Sequence, residues 1–170
     1  ATLSKNTRYQ LGRARKALEQ LGQVRFNKAE SLEQALHMFR QAGPLHVRRW
    51  GDKGGQSGFT NPLFCQFHEN LICDGFDLGF VELWEFTVDG NTIALQYNFR
   101  YRQRVYFSLA GVDYVQHEDN KLKTGMLMHL YAIEAHLDDD STCYDFMAGD
   151  ARYKRSLGQL TGNQYLARLR

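Results

Sequence analysis

The 170-residue sequence predicts an α/β chain built on a mixed, mostly antiparallel central sheet flanked by helices. Three observations predict it. The hydrophobic period changes from 3.6 to 2 near residue 80, β-rich runs then follow with only tight turns between them, and helical patterns stand on both sides. Hairpin links exclude a doubly wound parallel sheet, whose strands need long crossovers.

Residues 4–21 carry the first helical pattern: Ser4 is placed to cap it, Leu11, Ala14, Leu18 and Leu21 recur at 3/4 spacing, and Gly22 stops it. Gln23–Ala29 reads as a short strand. Ser31 with Gln34 is a capping-box pattern opening a second helix. Its face is Leu32, Ala35, Leu36 and Phe39, and Pro44 is expected to end or kink it. The glycines of GDKGGQSG (51–58) predict a flexible loop. Asn61-Pro62 starts a third helix, with Leu63, Phe64, Phe67, Leu71 and Ile72 as its buried stripe.

The strands come next. Phe80–Val88 (FVELWEFTV) is aromatic and β-rich, and Asp89-Gly90 is a hairpin signal. Thr92–Tyr101 sets Ile93, Leu95, Tyr97, Phe99 and Tyr101 on one face. After a turn at Arg102-Gln103, Arg104–Val112 alternates Val105, Phe107 and Leu109 with Tyr106, Ser108 and Ala110. A polar segment leads to a helix over 125–137, and Thr142–Met147 (TCYDFM) reads as a buried strand. A Gly149-Asp150 turn, a short basic helix at Arg152–Leu157 and a last strand near Gln164–Arg170 complete the order.

Composition narrows the function classes. With 43% hydrophobic residues and 22 aromatics, the chain can build a core and is not of disordered type. No run approaches the roughly 18–20 apolar residues of a membrane span. The N-terminus lacks the apolar stretch of a secretory signal. Cys65, Cys73 and Cys143 match no metal-ligand spacing, so reduced thiols, a cytoplasmic location and no metal are expected. The net charge of +2 conceals two basic ends around a middle of 11 basic and 19 acidic residues. Such asymmetry raises the question of an anionic ligand.

Two segments could carry chemistry. At KLKTGM (121–126) a helix N-terminus offers unpaired N–H groups that suit a phosphate. Gly125 would let backbone approach an anion, Lys121 and Lys123 add counter-charge, and Thr124 a hydroxyl. A Thr-capped helix with solvated lysines accounts for the same residues. In YDFMAGDARYKRSL (144–157), a strand delivers Asp145, and a turn leads to Asp150, Tyr153, Lys154 and Arg155. Beside a cleft, Asp145 or Asp150 could accept a proton and Tyr153 donate one; structural Asp–Lys or Asp–Arg pairing is the other reading. His129 and His136, seven apart on one helix, read as a solvated or half-buried face, and no GxSxG or Cys–His nucleophile pattern supports covalent hydrolysis.

Together, VDGNTIALQYNFRYRQRVYFSLAGVD, KLKTGMLMHLYAIEA and YDFMAGDARYKRSLG resemble the GNAT acyltransferase superfamily. The likeness extends to LSKNTRYQLGRARKALEQLG and RRWGDKGGQSGFTNPLF, so it covers essentially the whole chain. Within that superfamily the run Asp145-Phe146, Gly149-Asp150, Tyr153-Lys154 resembles the bacterial cellulose-biosynthesis-associated (CelD/BcsL-like) subfamily, related to the Fem-type peptidyltransferases.

The resemblance implies an N-acyltransferase using acetyl-CoA or another acyl-CoA. The donor would lie in a V-shaped opening between the strands at 104–112 and 142–147. Its pantetheine would pair with backbone at Ala110, Gly111 and Val112, and its pyrophosphate would sit near Lys121, Lys123, Thr124, Gly125 and Met126. Asp150, Tyr153 and Lys154 form the implied catalytic cluster. KLKTGM is poorer in Gly and Arg than the common GNAT phosphate loop. Fem-type relatives use aminoacyl-tRNA instead, and a non-catalytic GNAT-fold assembly module is the third reading. The implied acceptor is a small-molecule amine or sugar amine, with a second GNAT-like domain or a homodimer as protein partner. Residues 1–22 are then expected to be a basic helix linking to a domain outside the chain, and 23–170 the acyltransferase domain. Nucleic acid is not expected except as tRNA in the Fem-like reading.

Overall fold

The strands stand in the sheet in the same order as in the chain. The computed structural model describes residues 3–51, 56–114, 122–137 and 139–160. Over these run α1 (Lys5–Glu19), β1 (Val24–Lys28), α2 (Leu32–Gly51), a 3-10 turn (Gly58–Thr60) and α3 (Pro62–Gly75). Then follow β2 (Val81–Val88), β3 (Asn91–Tyr101), β4 (Arg104–Val112), α4 (Thr124–Ala135), β5 (Cys143–Asp145) and α5 (Arg152–Leu157). The sheet is antiparallel from β1 through β4, and β5 joins β4 in parallel after the crossover that α4 provides. This is the mixed, mostly antiparallel sheet flanked by helices that the periodicity predicts. The strand expected near Gln164–Arg170 and the candidate Lys121 lie outside the described residues.

Local chemistry accounts for the element ends. The Thr7 amide donates to Ser4 Oγ (3.1 Å), capping α1, and the Leu63 amide to Asn61 Oδ1 (3.0 Å), capping α3. Gln34 donates its amide to Ser31 Oγ (3.2 Å), while its own side-chain oxygen accepts from the Glu30 amide, one residue before the expected partner. Asp89 (φ 48°) and Gly90 (φ 77°) are both left-handed, as the tight β2–β3 turn requires.

Two clusters fill the two faces of the sheet. Leu11, Leu18, Phe86, Leu127 and Met128 form one under α1 and α4, and Met38, Phe39, Ile72, Leu83, Leu95 and Tyr97 the other under α2 and α3. The apolar stripe of α1 is thus part of the core, while Lys5, Arg8, Arg13 and Lys16 point outward.

Several expectations need correction. The β2–β3 register skips Ile93 and the β3–β4 register skips Ser108, and each extra residue inverts the alternation beyond it. Ile93 therefore packs on the α1/α4 side although Leu95 and Tyr97 face α2 and α3, and Phe107 and Leu109 fall on opposite faces. Helix α2 runs through Pro44 to Gly51, so Pro44 does not end it, and Ala42 and Leu45 lie against Gly111 of β4. On α3, Leu63 and Phe67 are 74% and 60% exposed; the inward row is Phe64, His68, Leu71 and Ile72. Finally, β5 is three half-buried residues, not a buried strand of six.

Candidate active site

The opening forms where β4 and β5 part. They pair only at Arg104–Cys143, Val105–Tyr144 and Tyr106–Asp145. Beyond Tyr106, β4 continues to Val112 while the chain leaves β5 for the turn before α5. Residues 107–112 are bonded to β3 on one side, and no described strand pairs with their other edge. Unpaired edge amides and carbonyls can bind an extended ligand as a strand would.

Ala110, Gly111 and Val112 lie on that stretch. Ala110 and Val112 pack on the α1/α4 side. Gly111 meets α2: a Cβ there would lie 2.7 Å from the Ala42 carbonyl oxygen and 2.9 Å from its Cα. Only glycine lets the helix backbone lie this close to β4.

The start of α4 is unusual in its cap. Lys123 holds the cap position in the left-handed region (φ 47°, ψ 39°), and no side chain caps the helix. Its carbonyl accepts from the amides of Met126 (2.8 Å) and Leu127 (3.0 Å). The Lys123 ammonium turns away to Gln10 on α1 (2.8 Å). Thr124 is the first helical residue and is buried, so it is not the cap that its side chain could have made. Gly125 sits under Tyr114, whose hydroxyl would be 3.3 Å from a Cβ at that position. Met126 packs against the α1/α4 core.

The turn from β5 to α5 brings the other candidates near. Asp145 accepts from the Met147 amide (2.7 Å), and Met147 (φ 58°) and Gly149 (φ 101°) bend the chain. The Lys154 ammonium clamps this turn, donating to the carbonyls of Phe146 (2.7 Å) and Ala148 (2.6 Å). Burial lowers its pKa, and Asp145 opposes that. Asp150 is exposed and accepts from Arg155 Nε at 2.6 Å. Tyr153 alone of the three turns inward, stacked on His129 with ring centroids 5.0 Å apart. Burial raises its pKa, against the pull of the Arg49 charge.

Beneath Tyr153 lies a polar group that sequence reasoning missed. Gln96 and Asn98 on β3 are 1% and 0% exposed. The Gln96 amide donates to Asn98 Oδ1 (2.8 Å) and to the Tyr144 hydroxyl. Tyr144 in turn meets His129 Nδ1 at 2.9 Å. With Gln96 donating to its oxygen, the hydroxyl can give its proton to Nδ1, an arrangement that sets the His129 proton on Nε2. Burial, aided by the Lys154 charge, lowers His129 to about 3, so the ring is neutral. His136 is buried as well, its Nε2 2.8 Å from Glu82. Neither histidine is on a solvated face. The available signal was the polar alternation of Gln96 and Asn98 within an otherwise apolar strand.

Comparison with known proteins gives one family. Residues 5–155 match the family model of an acetyltransferase (GNAT) domain. A possible acetyltransferase from Clostridium difficile 630 superposes with a TM-score of 0.57 at 8% identity, over 86% of this chain and 97% of that one. A predicted acetyltransferase from Clostridium acetobutylicum, solved with acetyl-CoA, gives 0.56 at 12% identity, over 86% and 96%. The ribosomal-protein-alanine N-acetyltransferase from Brucella melitensis biovar Abortus 2308 gives 0.54 at 14% identity, over 86% and 99%. At these identities the likeness is one of fold. No curated protein matches the chain.

Proposed function

The chain belongs to the GNAT acetyltransferase family, and on that premise we propose that it is an N-acyltransferase passing an acyl group directly from acetyl-CoA or another acyl-CoA to an amine. One observation carries this reading: β4 and β5 part after Tyr106, leaving a strand edge that ends beside an uncapped helix start. The residues present fit the donor. The edge at Ala110–Val112 suits the amides of pantetheine, and the N–H groups at Thr124 and Gly125, which no described side chain caps, suit a pyrophosphate.

In the proposed reaction the neutral amine nitrogen attacks the thioester carbonyl carbon and gives up one proton, which passes through solvent and restores the Tyr153 hydroxyl. A new C–N bond forms as the C–S bond breaks, and the thiolate takes up a proton. Backbone N–H groups on the free edge of β4 would stabilise the oxyanion. Tyr153, inward and protonated at neutral pH, is the proposed donor of the proton to sulfur. Lys154 and Asp150 act through position: the first holds the turn that carries Tyr153, and the second anchors Arg155.

The C-terminal run Asp145-Phe146, Gly149-Asp150, Tyr153-Lys154 supports placement near the cellulose-biosynthesis-associated subfamily, with a small amine or sugar amine as acceptor. A bacterial cytoplasmic setting, and a second domain or copy as partner, belong to the same proposal. Free cysteines support the first of these, and no described helix is long and apolar enough to cross a membrane.

The test is acetyl-CoA binding followed as a rise in melting temperature. Wild-type protein should be stabilised, and Gly125→Val should fold but lose the rise. No shift at millimolar acetyl-CoA, with salt-sensitive tRNA binding instead, would favour the Fem-like donor; no shift with either would favour an assembly module.

A further inference from the structure

We infer that Arg49 is a phosphate-binding residue for the acyl donor, supplied by α2 instead of the loop before α4. The inference rests on the acyl-donor reading above. Among the described residues three arginines are half-buried: Arg15 pairs with Glu134, Arg100 with Glu82 and Asp139, and Arg49 with no carboxylate. Its neighbour Arg48, more exposed, pairs with Asp113 at 2.7 Å. A desolvated guanidinium without a counter-ion is unfavourable, and a ligand anion would complete it.

Tyr114 fixes where that charge lies. The Arg49 guanidinium carbon is 4.4 Å from the centre of the Tyr114 ring, a cation–π arrangement. The hydroxyl of the same tyrosine reaches Gly125 in the first turn of α4. Tyr114 therefore spans the gap from α2 to the uncapped helix start. On the other flank is Tyr153, close enough for its hydroxyl and the Arg49 charge to act on each other.

The loop itself leaves room for such a donor. Lys123 is bonded to Gln10, and KLKTGM has no arginine. Arg49 supplies a guanidinium from another element. Its planar fork can hold two phosphate oxygens in a fixed parallel geometry that an ammonium does not preset. The α2 backbone is locked onto β4 where Ala42 meets Gly111, and Arg49 stands seven residues further along the same helix, so the guanidinium is carried on a rigid support.

Calorimetric titration of wild type, Arg49→Gln and Arg49→Lys with CoA, and with acetyl-pantetheine as a donor fragment lacking the pyrophosphate, tests this. Loss of one charge-assisted phosphate contact predicts CoA binding weakened about 10–100-fold in Arg49→Gln, with partial retention in Arg49→Lys and unchanged acetyl-pantetheine binding. Equal CoA affinity in Arg49→Gln and wild type would overturn the inference and leave the acyl-donor reading standing. So would equal weakening toward CoA and acetyl-pantetheine. Failure of wild type to bind CoA at all would overturn both.

Discussion

The imidazole of His129 lies flat on the ring of Tyr153, the planes 9° from parallel and the centroids 5.0 Å apart. This contact ties α4 to α5 and couples the inward tyrosine to the buried chain Gln96–Tyr144–His129. The catalytic proposal thus rests on a side chain whose position is set by packing.

Tyr153→Phe should keep the stack and remove the hydroxyl. Acetyl-CoA binding is expected to stay within twofold, while thiol release with an active amine falls by about 100-fold, the lower range for a general acid. Parallel steady-state and binding measurements check this; an unchanged turnover number would remove Tyr153 from the mechanism.

Tyr144→Phe should cost stability. It leaves His129 Nδ1 and one Gln96 N–H without partners in a buried site, a loss of about 1–3 kcal/mol. For a domain of this size that is a fall of about 3–10 °C in Tm. Nitrogen NMR should show His129 protonated on Nε2 in wild type and unsettled in the variant.

Stability should be greatest near neutral pH, for opposite reasons on the two sides. His136 donates to the Ala132 carbonyl and to Glu82, so it must be an imidazolium. Burial opposes that charge, but the bonds to Glu82 and Ala132 raise its pKa above 6.5. Its contribution is complete below 6.5 and is lost as pH rises through the folded value. His129, lowered to about 3, behaves oppositely: its neutral burial is free above 6.5 and costs stability as pH falls from 6.5 toward 3. Glu82, held near 2 by its partners although burial opposes this, adds to the acid limb only below 4.5. Denaturation against pH should show His136→Gln flattening the alkaline limb and His129→Gln the acid limb between 6.5 and 4.5.

Gly111→Ala should push α2 from β4. With a backbone oxygen 2.7 Å from the new Cβ, relief requires main-chain movement. A loss of about 1–3 kcal/mol is expected, read by urea denaturation. Gly12→Ala, where nothing lies within 4 Å, is the matched control and should be neutral or stabilising.

The sequence carried what is periodic and local. Helix caps at Ser4 and Asn61, the Asp89-Gly90 turn and the extent of α5 are all set by nearest neighbours, and each stands where its pattern put it. Features set by tertiary contact were not legible. The extra residues at Ile93 and Ser108 leave no mark in a run of apolar side chains, yet they decide which face Phe107 occupies. Helix α2 continues past Pro44 where Ala42 and Leu45 lie against Gly111 of β4. At the site, the segment 144–157 named Tyr153, but the pairing of Lys123 with α1 and the nearness of Arg49 join residues far apart in the chain.

The most direct test is a crystal structure of the protein soaked with acetyl-CoA. The account predicts pantetheine along the free edge of β4 at Ala110–Val112, the pyrophosphate on the amides of Thr124 and Gly125, and the thioester sulfur within hydrogen-bond reach of Tyr153. A donor bound elsewhere, or an edge left empty at saturating acetyl-CoA, would contradict it.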